Sequence, residues 1–407
     1  MESSVIFILV CVIAFSVSEP VERSLQPERL PETRRVLNGK EVGETRPYMV
    51  YLRPAAQADK QFTAVKWMCG GVIIHPRYIL TSAACIEDVK NFYVVSGTNE
   101  WTPFNEENEC INNGAKKAIW KCVPKNYYFD GAEFDNIRWM SGDIAVVKID
   151  DDFNFRKRVR GCQYTPKMIA FNNISDEYEK PNTMGSTAGW GSTQRFSDPE
   201  IGRSSVNSVK LLETDVQIIS KTGCKKRWEQ RYHNIIDESM VCTKDDQDSS
   251  LMSAACIEQG VNCKELEYTP DDEENTDKRY RASRRVLDPA YLEVHGAWHH
   301  QSNATRRFKV DSGGFCENDH GGPLIVGHGT TSMVVGIISA CMTKDISKQC
   351  YGPYLYTSVW SYRHLISCAI DKDIGTSPTC RKAFGELKTY QNQISEVTFD
   401  WNINTKE

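Results

Sequence analysis

The stretch Cys316-Glu317-Asn318-Asp319-His320-Gly321-Gly322-Pro323 decides the fold of this chain of 407 residues. On both sides of it, short runs rich in Val, Ile and Tyr alternate with turn residues. The clearest runs lie at residues 48–52, 72–74, 92–95, 144–149, 216–219 and 334–338. Short strands that are separated by turns in this way are typical of an all-β sandwich or barrel.

The overall composition is that of an ordinary globular protein, with 40% hydrophobic residues and 16 prolines. The chain is long enough for one large domain or two ordinary ones. Its formal net charge is −5, with both signs mixed along the sequence. This charge argues against a nucleic-acid partner, since nucleic acids attract strongly basic surfaces.

The first 18 residues have the pattern of a secretory signal peptide. An uninterrupted apolar run covers residues 5–15, and the small residues Ser16 and Ser18 suit a signal-peptidase site. About 11 apolar residues are too few to cross a bilayer, which takes roughly 20. We therefore expect a secreted, extracellular protein without a membrane span.

A polar, propeptide-like segment follows at residues 19–35 and contains three prolines and many charges. Such a segment cannot bury itself and is expected to be flexible. It ends at Arg34-Arg35, immediately before the apolar pair Val36-Leu37. This basic pair is a candidate processing site.

Cysteine usage supports the secretory prediction. Removal of Cys11 with the signal leaves 14 of the 15 cysteines, an even number that indicates disulfides. No cysteine has the spacing of a metal site, so we expect neither a metal nor another cofactor. Close spacing favours the pairs Cys110–Cys122 and Cys256–Cys263. The sequons at Asn173 and Asn303 are candidate glycosylation sites.

Two segments interrupt the β-rich pattern. Residues 243–309 are highly charged and include Asp271-Asp272-Glu273-Glu274, which indicates a long surface insertion. Residues 371–407 form a polar C-terminal tail, and we expect Cys380 to be its only anchor.

Several segments resemble, in the correct order, the motifs of the trypsin-like serine peptidase family. They are Arg35-Val36 at the activation site, Cys69-Gly70-Gly71 and Leu80-Thr81-Ser82-Ala83-Ala84-Cys85 at the histidine block, Asp143-Ile144-Ala145 at the aspartate block, Gly189-Trp190-Gly191, the quoted stretch at the serine block, and Pro353-Tyr354-Leu355-Tyr356-Thr357. The resemblance covers residues 36–370. It implies two packed antiparallel six-stranded β-barrels, the chymotrypsin-like fold, with a C-terminal helix.

The family's catalysis needs a hydroxyl nucleophile, an imidazole base, a carboxylate that orients the base, and backbone donors to the oxyanion. The resemblance assigns the carboxylate to Asp143, but it puts Ala84 at the histidine position and His320 at the serine position. Asn318 replaces a glycine that normally supplies an oxyanion-hole amide, and its side chain makes the required backbone orientation harder to reach. We also predict that His320 swings in to hydrogen-bond Asp143.

The specificity pocket that the resemblance implies is altered as well. Its floor is Gly314, which carries no charge to select a basic side chain. Tyr354 stands at a wall position that is usually glycine, where its phenol is expected to fill the slot. On the opposite wall, Ser339-Ala340-Cys341 replaces Ser-Trp-Gly, which puts the strand that pairs with substrate in doubt.

Activation in this family frees an α-amino group that pairs with a buried aspartate. The corresponding residues here are Arg35, Val36 and Asp319. The resemblance also implies three disulfide bridges. These are Cys69 with Cys85, Cys224 with Cys242, and Cys316 with either Cys341 or Cys350; the other eight cysteines are unassigned.

The predicted function is that of a non-catalytic serine protease homologue. Loss of the catalytic serine or histidine costs on the order of 10⁶ in turnover. Its expected partner is a protein: a protease, an inhibitor or another component of an extracellular proteolytic cascade. Two alternatives are open: an active endopeptidase that uses Ser312, in Asp311-Ser312-Gly313-Gly314, and a structural or storage component of a secretion.

Overall fold

A computed structural model describes most of the chain from residue 39 onwards. The described residues are 39–43, 46–55, 69–87, 89, 91–103, 106–129, 140–192, 207–244, 313–343, 350–371, 378–384 and 387–401. All of them belong to one unit, residues 34–407. The signal peptide, the propeptide-like segment, Arg35, Val36, Ser312, Asn303 and the Cys256–Cys263 pair lie outside the described residues, as does the insertion after residue 244.

The first barrel is a closed antiparallel sheet of six strands. Around the barrel they follow the order β6-β5-β2-β3-β4-β9, and β9 pairs with β6 to close it. The strands are β2 (Met49–Pro54), β3 (Cys69–His75), β4 (Tyr78–Thr81), β5 (Phe92–Val95), β6 (Lys116–Pro124) and β9 (Ala145–Ile149). Helix α1 (Glu109–Gly114) precedes β6, and the short strands β7 (Tyr128–Phe129) and β8 (Met140–Ser141) form a separate antiparallel pair.

The second barrel closes in the same way, in the order β12-β11-β14-β15-β16-β13, with β13 paired to β12. The strands are β11 (Met184–Gly189), β12 (Leu212–Ile219), β13 (Met240–Thr243), β14 (Pro323–Val326), β15 (Met333–Thr343) and β16 (Cys350–Ser358). Strand β1 (Lys40–Glu41) pairs with β12, and β10 (Ala170–Phe171) pairs with β15. Helices α2 (Lys221–Lys225) and α3 (His233–Ser239) connect β12 to β13.

Side-chain alternation explains why these segments form barrels. Along β12, Leu212, Thr214, Val216 and Ile218 are buried, while the residues between them are half-buried or exposed. This period of two gives the strand one face for the barrel interior. The two closed barrels, followed by helix α4 (Val359–Asp371), confirm the fold expected from the sequence.

The start of α4 is held by the carboxylate of Glu179. It accepts hydrogen bonds from Ser358 Oγ at 2.6 Å and from the backbone amide of Trp360 at 2.9 Å. The second bond satisfies one of the amides that a helix leaves free at its N-terminus. Burial raises the pKa of Glu179, although these hydrogen bonds act in the opposite direction.

The disulfides confirm part of the predicted pattern. Cys69 is bonded to Cys85 and Cys224 to Cys242, as predicted. Cys316 is bonded to Cys350, one of the two partners that the sequence left open. The pair Cys110–Cys122 is wrong, because Cys110 is bonded to Cys162. The prediction relied on the short distance in sequence between Cys110 and Cys122, whereas the actual bridge joins α1 to a loop that follows β9.

The C-terminal segment is more firmly attached than the sequence suggested. Cys368 of α4 is bonded to Cys380, which lies in helix α5 (Pro378–Phe384). Helix α6 (Leu387–Gln393) then leads into strand β17 (Ile394–Thr398), which pairs with β6 of the first barrel. The expectation that Cys380 alone anchors this tail is therefore wrong. In the described part of the chain, no helix is long and apolar enough to span a membrane.

Two aromatic side chains after β17 complete this attachment. Phe399 is buried, and its ring lies edge-on to Phe92 with centroids 5.3 Å apart. The indole of Trp401 donates to the backbone oxygen of Ala118 at 2.7 Å. The tail thus covers apolar surface of the first barrel.

Replacement of the buried ring tests this attachment. We expect Phe399→Ala to lower the free energy of unfolding by about 3 kcal/mol, as large-to-small changes in a core do. The measurement is urea unfolding of the purified protein, with Val397→Ala as the matched control, since Val397 lies two residues before Phe399 but is 43% exposed. Equal, small effects of the two substitutions would contradict the packing of Phe399.

Candidate functional site

The histidine block and the serine block meet where the two barrels touch. The amide of Gly70 donates to the backbone oxygen of His320 at 2.8 Å, and Thr81 Oγ1 donates to the backbone oxygen of Gly70 at 2.8 Å. The backbones approach so closely that a Cβ at Gly70 would lie 3.2 Å from Gly322. A side chain at Gly70 would be crowded, and one at Gly321, whose φ is +78°, would overlap the backbone oxygen of Gly70.

Asp143 lies at this junction and is completely buried. Its Oδ1 accepts from Ser82 Oγ at 2.5 Å and from the amide of Ala84 at 2.9 Å, and its Oδ2 accepts from Ser339 Oγ at 2.8 Å. Thr357 Oγ1 donates to its backbone oxygen at 2.8 Å. Since a buried carboxylate is costly without donors, these contacts are what make its burial possible.

Ser82 is the residue of this site that sequence reasoning missed. Its hydroxyl meets Asp143 Oδ1 next to Ala84, the residue at the predicted histidine position. A signal was present in the sequence, because the family's Leu-Thr-Ala-Ala-His-Cys block has alanine where this chain has Ser82. The methyl group of Ala84 neither donates nor accepts a proton, so only its backbone amide reaches the carboxylate.

His320 does not take the place predicted for it. Among the described residues, the donors to the Asp143 carboxylate are two hydroxyls and an amide, and the imidazole of His320 is not one of them. Ser82 and Ser339 donate to the Asp143 carboxylate in place of the predicted hydrogen bond from His320. The His320–Asp143 pairing is therefore wrong in this structure.

Asn318 reaches a backbone conformation that is difficult for most residues. Its φ is +70°, in the left-handed region, where asparagine is tolerated better than most other residues with a side chain. Its side-chain nitrogen Nδ2 donates to Asn207 Oδ1 at 2.9 Å, which holds the side chain in place. The side chain is thus less of an obstacle than the sequence suggested.

Asp319 is buried in a pocket made of backbone. Its Oδ1 accepts from the amide of Gly191 at 2.8 Å and its Oδ2 from the amide of Cys316 at 3.1 Å. A Cβ on Gly189 would overlap the carboxylate, and one on Gly191 would lie 2.5 Å from its carbon. Burial raises the pKa of Asp319 from 3.8 to about 7, although the two amides act in the opposite direction.

The predicted specificity pocket contains an aromatic side chain. Tyr354 is completely buried, and its ring lies so close to Gly314 that a Cβ there would overlap it. Phe315 packs against this ring with centroids 5.0 Å apart, and against Tyr356 at 5.1 Å. The space between Gly314 and Tyr354 is filled by the protein's own atoms.

These features define a class of protein: two closed six-stranded antiparallel barrels with a buried aspartate where they meet, as in chymotrypsin-like serine peptidases. The family model named Trypsin matches residues 39–255, more than half of the chain. The chain belongs to the trypsin family.

Three relatives come from insects. Serine protease grass of Drosophila melanogaster is 29% identical over 52% of this chain and 50% of its own length. Venom serine protease 34 of Apis mellifera is 26% identical over 46% of this chain and 40% of its own length. Trypsin epsilon of Drosophila erecta is 25% identical over 58% of this chain and 76% of its own length. The chain thus spans half or less of the first two relatives.

A solved structure that resembles this one is described as the scabies mite inactivated protease paralogue S-D1. The sequence identity is 16% and the TM-score is 0.43, with 82% of this chain and 96% of the other covered.

The role of Ser82 can be measured by a double-mutant cycle. We expect Ser82→Ala to cost about 2 kcal/mol of unfolding free energy, because it removes a hydrogen bond to a buried charged group. In an Asp143→Asn background the same substitution is expected to cost distinctly less, since the charge is gone. Urea unfolding of the four proteins gives both values, and an unchanged cost would refute the proposed contact energy.

The pKa of Asp319 predicts a specific pH dependence of stability. The folded protein holds a proton on this residue up to about pH 7, whereas the unfolded chain releases it near pH 4. The unfolding free energy therefore contains a contribution that is present at low pH and is lost as the pH rises from about 4 to about 7. We expect Asp319→Asn to remove this contribution, as measured by urea unfolding between pH 4 and pH 8.

The matched control for this experiment is Asp176→Asn, which removes an exposed carboxylate. It is expected to leave the pH profile of the unfolding free energy unchanged. A similar profile for the wild-type protein and Asp319→Asn would show that Asp319 does not titrate in this range.

Proposed function

We propose that this protein is a non-catalytic serine protease homologue that acts as a binding or regulatory component of an extracellular proteolytic cascade. The observation that carries the proposal is the set of donors to Asp143. In a working triad this carboxylate orients an imidazole, whereas here Ser82, Ser339 and the amide of Ala84 occupy it.

The chemistry of the two substituted positions supports the proposal. Ala84 has no side-chain group that takes a proton, and among the described residues no imidazole is hydrogen-bonded to Asp143. His320 is held by its backbone oxygen at the turn where the nucleophile is expected. Loss of either catalytic residue costs on the order of 10⁶ in turnover, and the two losses do not add because the residues work as a unit.

The filled pocket supports the same conclusion from the side of substrate binding. A trypsin-like peptidase inserts a substrate side chain into this slot and reads it at the pocket floor. Here the ring of Tyr354 lies over Gly314 and is itself packed against Phe315. Opening the slot would expose two buried rings, which opposes binding of a substrate side chain.

The proposed partner is a protein: a protease, an inhibitor or another cascade component. Two of the relatives bear the names of a serine protease and a venom serine protease, which supports a setting outside the cell. The disulfides of the described residues and the N-terminal apolar run support secretion.

Regulation by cleavage is part of the proposal. A cut between Arg35 and Val36 would free an α-amino group, and Asp319 is the carboxylate that would receive it. Asp319 is suited to this role because it is buried, has no cationic partner among the described residues, and has a pKa that burial raises to about 7. Pairing with an ammonium group would lower its pKa and order the segments around Gly191 and Cys316.

The test is a fluorophosphonate probe applied to the secreted protein before and after limited trypsin cleavage at Arg35–Val36. We expect no covalent labelling in either state, with active trypsin labelled under the same conditions and correct folding checked by circular dichroism. The matched variant is Ser312→Ala. Labelling that disappears in this variant would identify an active peptidase and overturn the proposal.

A binding experiment distinguishes the proposed function from the remaining alternative, a structural or storage component. Crosslinking in the native secretion is expected to capture a defined protease or inhibitor. Great abundance of the protein without any specific crosslinked partner would favour the storage function instead.

A further inference from the structure

A basic surface loop follows strand β9 and is not part of the site described above. It covers residues 154–161, Asn-Phe-Arg-Lys-Arg-Val-Arg-Gly, with four cationic residues within five positions. The side chains of Arg156, Lys157 and Arg158 are exposed. The loop surrounds a concavity of about 410 Å³. Its lining residues are Asn154, Lys157, Arg158, Val159, Arg160 and Gly161.

The first half of this basic loop is fixed by local contacts. Asn154 Oδ1 accepts from the amides of Arg156 at 3.0 Å and Lys157 at 2.9 Å. The rings of Phe153 and Phe155 stack, and the amide of Phe153 donates to the backbone oxygen of Pro76 at 2.8 Å. The cations are therefore carried on a backbone with a defined course.

The second half is tied to helix α1. Cys162, directly after the loop, is bonded to Cys110, and Asn113 Nδ2 donates to the backbone oxygen of Arg160 at 3.2 Å. Gly161 has a φ of +85°, and a Cβ there would overlap Glu109. A loop held at both ends loses little conformational entropy when it binds a ligand.

The charges of this loop are only partly compensated. Arg160 forms an ion pair with Glu109 at 3.2 Å. Among the described residues, Arg156, Lys157 and Arg158 have no acidic partner, and Arg158 reaches only the backbone oxygen of Gln163, at 3.4 Å.

The nearby acidic residues do not neutralise these three cations. Asp151 pairs with Lys116 at 2.7 Å, and Asp152 pairs with Arg77 at 2.6 Å. A protein of net charge −5 therefore carries, within the part of the chain that the structure describes, a local site of three positive charges without acidic partners.

We propose that the basic loop binds a sulfated polysaccharide. Arginine guanidinium groups match the oxygens of sulfate in a bidentate manner, and a row of them fits a chain of regularly spaced anions. Short runs rich in Lys and Arg are typical of heparin and nucleic-acid binding. Disulfides in the described residues indicate an oxidising compartment, where sulfated glycans are present and nucleic acids are not the usual partner.

This surface is separate from the site around Asp143. Asp143 precedes β9 and the basic loop follows it, so the two lie beyond opposite ends of a five-residue strand that is about 16 Å long. Both can be occupied at the same time. The inference therefore stands independently of the proposed function.

The test measures binding of the full-length protein to immobilised heparin over a series of salt concentrations. We expect the triple variant Arg156→Gln, Lys157→Gln, Arg158→Gln to bind roughly tenfold more weakly than wild type, a loss of about 1.4 kcal/mol in binding free energy. The slope of log Kd against log salt is expected to fall by about two to three, since fewer counterions are released.

The matched control is Lys225→Gln, Lys226→Gln, Arg227→Gln, which removes three charges from a second basic run where Lys225 pairs with Asp237. It is expected to bind heparin like wild type, with thermal unfolding confirming that both variants fold. Equal losses in both variants, or no loss in either, would overturn the proposal. Wild-type binding to polyglutamate or duplex DNA that is as tight as binding to heparin would also overturn it.

Discussion

The structure depends on one buried carboxylate. Asp143 is fully enclosed where the barrels meet, and its charge is tolerated because donors come from both of them. Ser82 follows β4 of the first barrel, while Ser339 and Thr357 belong to β15 and β16 of the second. The carboxylate thus connects the two barrels, and this connection persists although the residue at the predicted histidine position is alanine.

Three positions of the site are filled or hydrogen-bonded by the protein's own side chains. A hydroxyl supplies what an imidazole would otherwise donate, an aromatic ring fills the slot over Gly314, and an asparagine adopts the left-handed turn at residue 318. Each change satisfies a buried polar group or fills a space. Together they favour packing and burial over an open cleft.

Much of the architecture followed from the sequence because its determinants are local. Short alternating runs predicted the strands, and the order of the motifs predicted two barrels, the C-terminal helix and the bridges of Cys69 and Cys224. The tail was misread because its composition is polar: only Ile394 of β17 is buried, and the strand is held by its pairing with β6. The pairing of Cys110 was missed for a similar reason, since its partner is distant in sequence.

The sequence by itself determined which chemical groups are present: a carboxylate at residue 143, a methyl at residue 84, an imidazole at residue 320 and a basic run after β9. Only the tertiary structure decided which of them meet. In the folded protein, Ser82 and not His320 donates a hydrogen bond to the carboxylate of Asp143, and the ring of Tyr354 lies over Gly314. Three cations of the basic loop have no acidic partner among the described residues. The physical reason is that hydrogen bonds and desolvation depend on distances of a few ångströms between segments far apart in the chain, and no local pattern encodes those distances.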